Sequence, residues 1–531
     1  MNPKNLMVAA LLPLACSSRA AEPFPFAEAT IDDLQARMSA GTLTAHTLTA
    51  AYLDRIAVID RAGPKLNSVI ELNPDALVIA DALDAERKSG HVRGPLHGIP
   101  ILIKDNIATA DKMQTTAGSL ALLGLKPPRD AHLVTRLRDA GAVILGKTNP
   151  SEWANFRGER SVSGWSGRGG QTLNPYVLDR SPLGSSSGSA VAVAANLCVA
   201  AIGTETTGSI VSPSSVCGIV GLKPTVGLVS RAGVIPIAAS FDTAGPMTRT
   251  VRDAALVAAA LAGADARDAA TESIPAGLAA QLAAKPAPGA LQGARIGLIR
   301  GGNARPTLDA LLEASLAAMR AAGAEVIELG EFPALARIGT ARIDVMLYEM
   351  KAGLNAYLAE LGAASPMKTM ADLIKFNDEH WAQEQPLFGQ QFFTRANAKG
   401  PLTDPAYRAA LELCRRVTRA DGIDALMERH RLDALMAMTT GPASLITAPA
   451  AGGDPAFGPN GPGGSGGAAP AAVAGYPSVT VPMAEVKGLP LGLMFFGRAW
   501  SEPKLLALAA DFEAHTKARR APQFLPTADL H

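Results

Sequence analysis

Three serine motifs in the 531-residue chain could each supply a nucleophile, and each implies different chemistry. Gly184-Ser185-Ser186-Ser187-Gly188 matches GxSxG, the sharp strand-to-helix turn of α/β-hydrolases, and would make Ser186 the nucleophile. That turn needs a strand directly before it and an Asp and a His after it, whereas Asn174 to Leu183 reads as a Pro-rich loop. Ser501-Glu-Pro-Lys504 has SxxK spacing, but no SDN or KTG partner accompanies it. The third arrangement is wider. Lys104 closes the apolar run Ile99-Pro-Ile-Leu-Ile103, and a lysine buried there would lose its charge readily, because desolvation disfavours the ammonium form. Such an amine can act as a base. The serines at 185–189 directly precede a helix of small residues, Ala190 to Leu197. Gly203-Thr-Glu-Thr-Thr-Gly208-Ser209 then offers a turn whose successive backbone amides could hold an oxyanion. A serine activated by a lysine through a bridging hydroxyl needs no histidine. Spacing alone does not choose among Lys104, Lys147 and Lys223, which all follow apolar runs, and a Ser/Gly cluster is also what a flexible turn looks like.

The elements that must position these residues read as an α/β protein: a large mixed, mostly parallel β-sheet core covered by helices on both faces. Ile99–Ile103 and Ala142–Leu145 are buried-strand patterns separated by an amphipathic helix around Ala131 to Arg138, a βαβ rhythm. Thr30-Ile-Asp-Asp33 is a capping-box start to a short helix that Gly41 ends. Further helices are expected over about Leu43–Asp60 and Pro74–Lys88, with a helix-dominated stretch from Pro306 to His430. Strands follow at Ile296–Ile299, Ser478–Pro482 and Leu491–Phe496, and a last helix from Pro503. Gly158 to Gly188 is too long and too Gly/Ser-rich for an ordinary connector, and loops of that length are usually functional or disordered. Surface excursions are expected near 263–293 and 452–467.

Composition excludes several function classes. Lys and Arg (49) balance Asp and Glu (48), which leaves no basic surplus for nucleic acid. With 48% hydrophobic and 18% charged residues the chain is no disordered polyelectrolyte. The four cysteines, Cys16, Cys198, Cys217 and Cys414, lack CxxC spacing, and the eight histidines lack HExxH spacing, so no metal or other cofactor is expected. Cys198 and Cys217 read as small buried hydrophobes, and His91 and His97 as loop or capping residues. Residues 1–20, with Lys4, the apolar run Leu6 to Ala15 and small residues to Ala20, fit a cleaved secretory signal peptide, hence a periplasmic or secreted protein. Cys16 as a lipidation site fits poorly beside Pro13 and Leu14. No later run is long and apolar enough to span a membrane.

Taken together, several blocks carry a resemblance. GPLHGIPILIKDNI (94–107), AGAVILGKTN (140–149), GSSSGSAVAVAANLCVAAIGTETTGSIVSP (184–213), CGIVGLKPTVGLVSRAGVIP (217–236), DTAGPM (242–247), AAVAGYPSVTVPM (471–483) and GLPLGLMFFG (488–497) resemble the amidase signature family, in order, over about residues 25–520. FPFAEATIDDLQARMSAGTLT, SEWANFRG and GGQTLNPY are similar to its bacterial peptide amidase branch.

The resemblance implies a Ser-cisSer-Lys triad with Lys104 as base, Ser185 as bridging serine on a cis peptide and Ser209 as acyl-forming nucleophile. It places the oxyanion amides on Thr206, Thr207, Gly208 and Ser209, and makes Ser186 a neighbour only. It also implies a single catalytic domain over 21–531, a monomer or homodimer, acting on a small-molecule or peptide amide. The implied reaction frees ammonia, most simply from C-terminal peptide carboxamides. Small aliphatic or aryl amides are the alternative substrates. A transamidase-like role fits less well with an export signal. Two departures bear on this. Thr207 stands where relatives usually carry Gly or Asp, which makes a catalytically impaired amide-binding protein conceivable. Ile210, Val211 and Ser212 stand where many members carry an Arg, which favours uncharged amides. Glu205 reads as a structural acid beside the turn, and Trp153 and Phe156 as core residues that could line an entrance.

Overall fold

The computed structural model describes residues 24–300, 305–332, 335–363, 365–446 and 468–528. The expected signal peptide, Cys16 and the 452–467 loop lie outside the described residues. Among the described residues the strands form an 11-stranded sheet. Its strands are β1 (Val69–Leu72), β2 (Pro100–Lys104), β3 (Val143–Thr148), β6 (Ala200–Glu205), β7 (Val220–Lys223), β8 (Thr243–Thr248), β9 (Arg295–Ile299), β10 (Glu325–Gly330), β11 (Ala434–Met438), β12 (Ser478–Val486) and β13 (Leu489–Phe496). The short β4 (Trp165–Ser166) and β5 (Gly170–Gln171) pair separately inside the long Gly/Ser-rich segment. The sheet order is β1-β3-β2-β6-β8-β7-β12-β13-β11-β9-β10.

Every residue of β2, β3, β6, β7, β8 and β13 is buried. Successive side chains point to opposite faces, so burial of all of them means that both faces are covered. The mixed, helix-covered sheet is the expected architecture, but its balance is mostly antiparallel. Parallel pairing is confined to β3-β2-β6 at one side and β11-β9-β10 at the other. The antiparallel centre comes from β8 and β7, which the sequence hides. Thr243-Ala-Gly-Pro-Met-Thr248 contains two residues that disfavour strands. Gly245 is required there, since a Cβ would run into the Leu222 carbonyl oxygen of the neighbouring strand.

The βαβ unit that carries Lys104 forms as expected. Helix His132–Asp139 buries Leu133, Val134 and Leu137 and keeps Arg136 and Arg138 in its last turn, where they suit the helix dipole. Thr30 caps the first helix with a reciprocal Asp33 box. The helix Ser187–Ala194 is buried on all sides and packs against β2, β6 and β8. Only small residues allow so close an approach; a Cβ on Gly188 would strike Asn149 N at 2.6 Å. Segment 263–293 forms a 3-10 turn (Ala269–Ser273) and a short helix (Leu278–Ala283) anchored by buried Leu278, Leu282 and Leu291. The helices between Gly339 and Thr418 enclose a second core around Leu347, Met350, Leu354 and Phe393. Among the described residues no helix is long and apolar enough to cross a membrane.

Candidate active site

β2 and β6 are parallel and adjacent, with Ile103 opposite Ile202, so Lys104 and Thr204 emerge at the same, carboxyl-terminal edge. That edge is where open α/β sheets place ligands. Ile101, Leu102 and Ile103 have no exposure, and each such side chain contributes about 1.5–3 kcal/mol by burial. That is enough to hold a strand whose last residue drags an amine out of water.

Lys104 is fully buried. Its Nζ lies 2.8 Å from Ser185 Oγ, 2.9 Å from Thr204 Oγ1 and 3.2 Å from Ser186 Oγ. Burial lowers its pKa to about 7, against the opposing pull of the Asp242 and Glu205 carboxylates. Near neutral pH a large fraction is therefore the free amine. The two competing lysines are also buried and lowered to about 8, again by desolvation. They touch no serine: Lys147 donates to Ile107 O and Thr115 Oγ1, and Lys223 to Pro224 O. Of the three lysines, Lys104 is the one within hydrogen-bond reach of the serine cluster.

The Gly184–Ser185 peptide bond is cis. Ser185 and Ser186 are both fully buried, but their hydroxyls are used differently. Ser186 Oγ donates to Thr204 O and accepts from Thr204 N, which ties the serine turn to the end of β6. A hydroxyl committed on both sides is a poor nucleophile. No strand precedes it either, so the hydrolase elbow is absent. Ser501 Oγ donates to Arg498 O while Lys504 pairs with Asp433, which dissolves the SxxK reading.

Ser209 is brought to the same place by backbone. Its carbonyl accepts from Ser186 N at 3.1 Å, and of Ser185, Ser186 and Ser209 it alone is partly exposed. The turn before it is held by Glu205, whose carboxylate accepts from Gly208 N (2.7 Å), Ile210 N (2.7 Å) and Val211 N (3.1 Å). This corrects one expectation. The Gly208 amide is already bonded, so it is not a free oxyanion donor. Gly208 serves by conformation instead: its φ of +86° favours glycine, and a Cβ would crowd Ser212 Oγ at 2.9 Å. The amides of Thr206, Thr207 and Ser209 have no acceptor among the described residues.

Sequence reasoning missed three residues here. Thr204 holds the amine, Asn106 donates to Thr204 Oγ1 at 3.0 Å, and Asp242 accepts from Thr206 Oγ1 at 2.6 Å. Asp242 also accepts from Ile237 N and Ala238 N, and burial pushes its pKa up to about 6. Asn106 and Asp242 line a cavity of about 200 Å³ together with Thr204, Glu205 and Thr206. His97 fixes a loop through Leu83 O, and Trp153 and Phe156 pack on Phe393 and Phe392. Cys198 and Cys217 are buried, and desolvation raises both thiol pKa values. Among the described residues no cluster of three or more His, Cys, Asp or Glu could hold a metal ion.

The Amidase family profile matches residues 47–506. The chain belongs to the amidase family. Along its length this amidase is 40% identical to an Arabidopsis thaliana protein named "Probable amidase", covering 96% of this chain and 94% of the relative. It is 35% identical to a glutamyl-tRNA(Gln) amidotransferase subunit from Symbiobacterium thermophilum, covering 91% and 96%. Among solved structures, the native peptide amidase of Stenotrophomonas maltophilia superposes with a TM-score of 0.88 at 54% identity, covering 94% of this chain and 100% of that one.

Glu205→Ala is expected to leave the amidase folded but less stable, since three backbone amides lose their buried acceptor, and to free the turn that Glu205 clamps. A misplacement of about 1 Å in a catalytic array can cost about 10²-fold, so kcat should fall by about that factor with KM little changed. Steady-state kinetics beside a melting curve check this.

Proposed function

We propose that this amidase removes the terminal carboxamide of peptides, giving the free acid and ammonia through an acyl-enzyme on Ser209. The observation that carries the catalytic part is the 2.8 Å contact between the buried, readily neutral Lys104 and Ser185, beside a partly exposed Ser209. Neutral Lys104 takes the Ser185 hydroxyl proton while Ser185 takes that of Ser209, and Ser209 Oγ bonds to the amide carbon. The carbonyl electron pair moves onto oxygen, where the Thr206, Thr207 and Ser209 amides donate to it. One such donor is worth about 3 kcal/mol. As the C–N bond breaks, the proton returns along the relay to the nitrogen and ammonia leaves. Water, deprotonated by the same relay, then releases the acid.

The free Thr207 amide supports an active enzyme over an impaired binding protein, because the β-branched side chain leaves the backbone donor in place. The substrate part rests on the likeness to the Stenotrophomonas maltophilia peptide amidase and on Ile210, Val211 and Ser212, which bring no cation to the position after Ser209. The second reading, small aliphatic or aryl amides, is favoured by the modest cavity beside Thr204 and Thr206. A panel of peptide amides, free-acid peptides, small amides and anilides separates the two. The proposal expects the highest kcat/KM for peptide amides and none for free-acid peptides; a preference for small amides overturns it.

A further inference from the structure

A second cavity of about 780 Å³ adjoins the one beside the Ser209 turn, and Arg231 and Ala239 line both. One wall is a stripe of the helix Pro405–Thr418: Tyr407, Leu411 and Arg415 recur at steps of four and so share a face, with Arg419 one turn further. Tyr476 and Trp500 complete it from the sheet side. The two tyrosines have their hydroxyls engaged, Tyr407 with Glu349 at 2.5 Å and Tyr476 with Asp424 at 3.0 Å; the Tyr407 ring is buried against Tyr348, whereas Tyr476 stays partly exposed.

The charges are unequal. Glu349, an acid in this wall, has both oxygens occupied by Ser240 and Tyr407. Arg231 is neutralised by Asp268. Arg419 is held on Ala474 O and lies over the Tyr476 ring. Arg415 is exposed, and its guanidinium has no hydrogen bond or ion pair with a described residue. The cavity therefore offers aromatic surface and an unmatched cation, and it shares Arg231 and Ala239 with the cavity lined by Thr204, Glu205 and Thr206.

We infer that this larger cavity is a remote subsite for peptide residues preceding the scissile carboxamide, one that favours aromatic and acidic side chains over basic ones. The inference rests on the peptide-carboxamide reading above. Its chemistry is recognition only: an apolar ring lies against Tyr476, Trp500 and Leu411, and a carboxylate meets Arg415 near the opening.

The test uses N-acetylated tripeptide and tetrapeptide amides built on alanine, with Glu, Lys or Phe placed in turn at each residue beyond the last, at low salt. At one position wild type is expected to show kcat/KM about twofold to fivefold higher for Glu than for Lys, the size of a solvent-exposed ion pair. Arg415→Glu should reverse that preference at the same position and leave N-acetyl-leucinamide unchanged, a readout that mere loss of stability would not give. Hydrolysis of N-acetyl-leucinamide with no Glu/Lys discrimination at any position, or discrimination untouched by Arg415→Glu, overturns the subsite while the carboxamide reading stands. Turnover of small aliphatic amides without turnover of any peptide amide overturns both.

Discussion

Ser209→Ala should abolish ammonia release from a dipeptide amide, lowering kcat by about 10⁴-fold or more, as removal of a nucleophile does elsewhere. The fold should survive, because the side chain is partly exposed and the turn is clamped by Glu205 and by the Ser209 carbonyl, neither of which the substitution touches. Far-ultraviolet circular dichroism and the melting temperature should match wild type. Ser186→Ala makes the contrast. It removes the link between the serine turn and Thr204, so it should cost stability and some rate without ending turnover. Full activity in Ser209→Ala with none in Ser186→Ala would restore the α/β-hydrolase reading.

Lys104→Met should be nearly as severe, because no other described amine reaches Ser185. Arginine should not rescue it, since a guanidinium stays protonated. The pH dependence follows from the sign of the shift. The base works unprotonated and its pKa is lowered to about 7, so kcat/KM should climb as pH rises through about 7 and fall about tenfold per unit below it. The Asp242 carboxylate opposes that lowering by favouring the ammonium form. Asp242→Asn should therefore move the acidic limb to lower pH while disturbing the loop at Ile237 and Ala238. A flat profile down to pH 4 would contradict a lysine base.

The legible parts were those fixed by local chemistry. A lysine at the end of Pro-Ile-Leu-Ile, small residues in a helix after a serine run, and a Thr30 capping box each declare themselves within a few positions. Which lysine and which serine react did not follow from spacing; the family resemblance supplied that pairing, and the structure adds the 2.8 Å contact with Ser185. The illegible parts depend on sheet register. Asp242 reaches Thr206 because β8 lies antiparallel to β6, with Glu205 opposite Thr243, and β8 hides its strand character behind Gly245 and Pro246. Nothing in the sequence shows that Glu205 turns back onto the Gly208 amide three residues later.

A covalent acyl intermediate on Ser209 can be trapped during turnover. Acid quench of the enzyme during turnover of an acylated peptide amide, followed by proteolysis and mass spectrometry, should find the substrate's acyl mass on the peptide containing Ser209, with none in Ser209→Ala. An acyl group on Ser186, or undiminished labelling in Ser209→Ala, would place the nucleophile elsewhere.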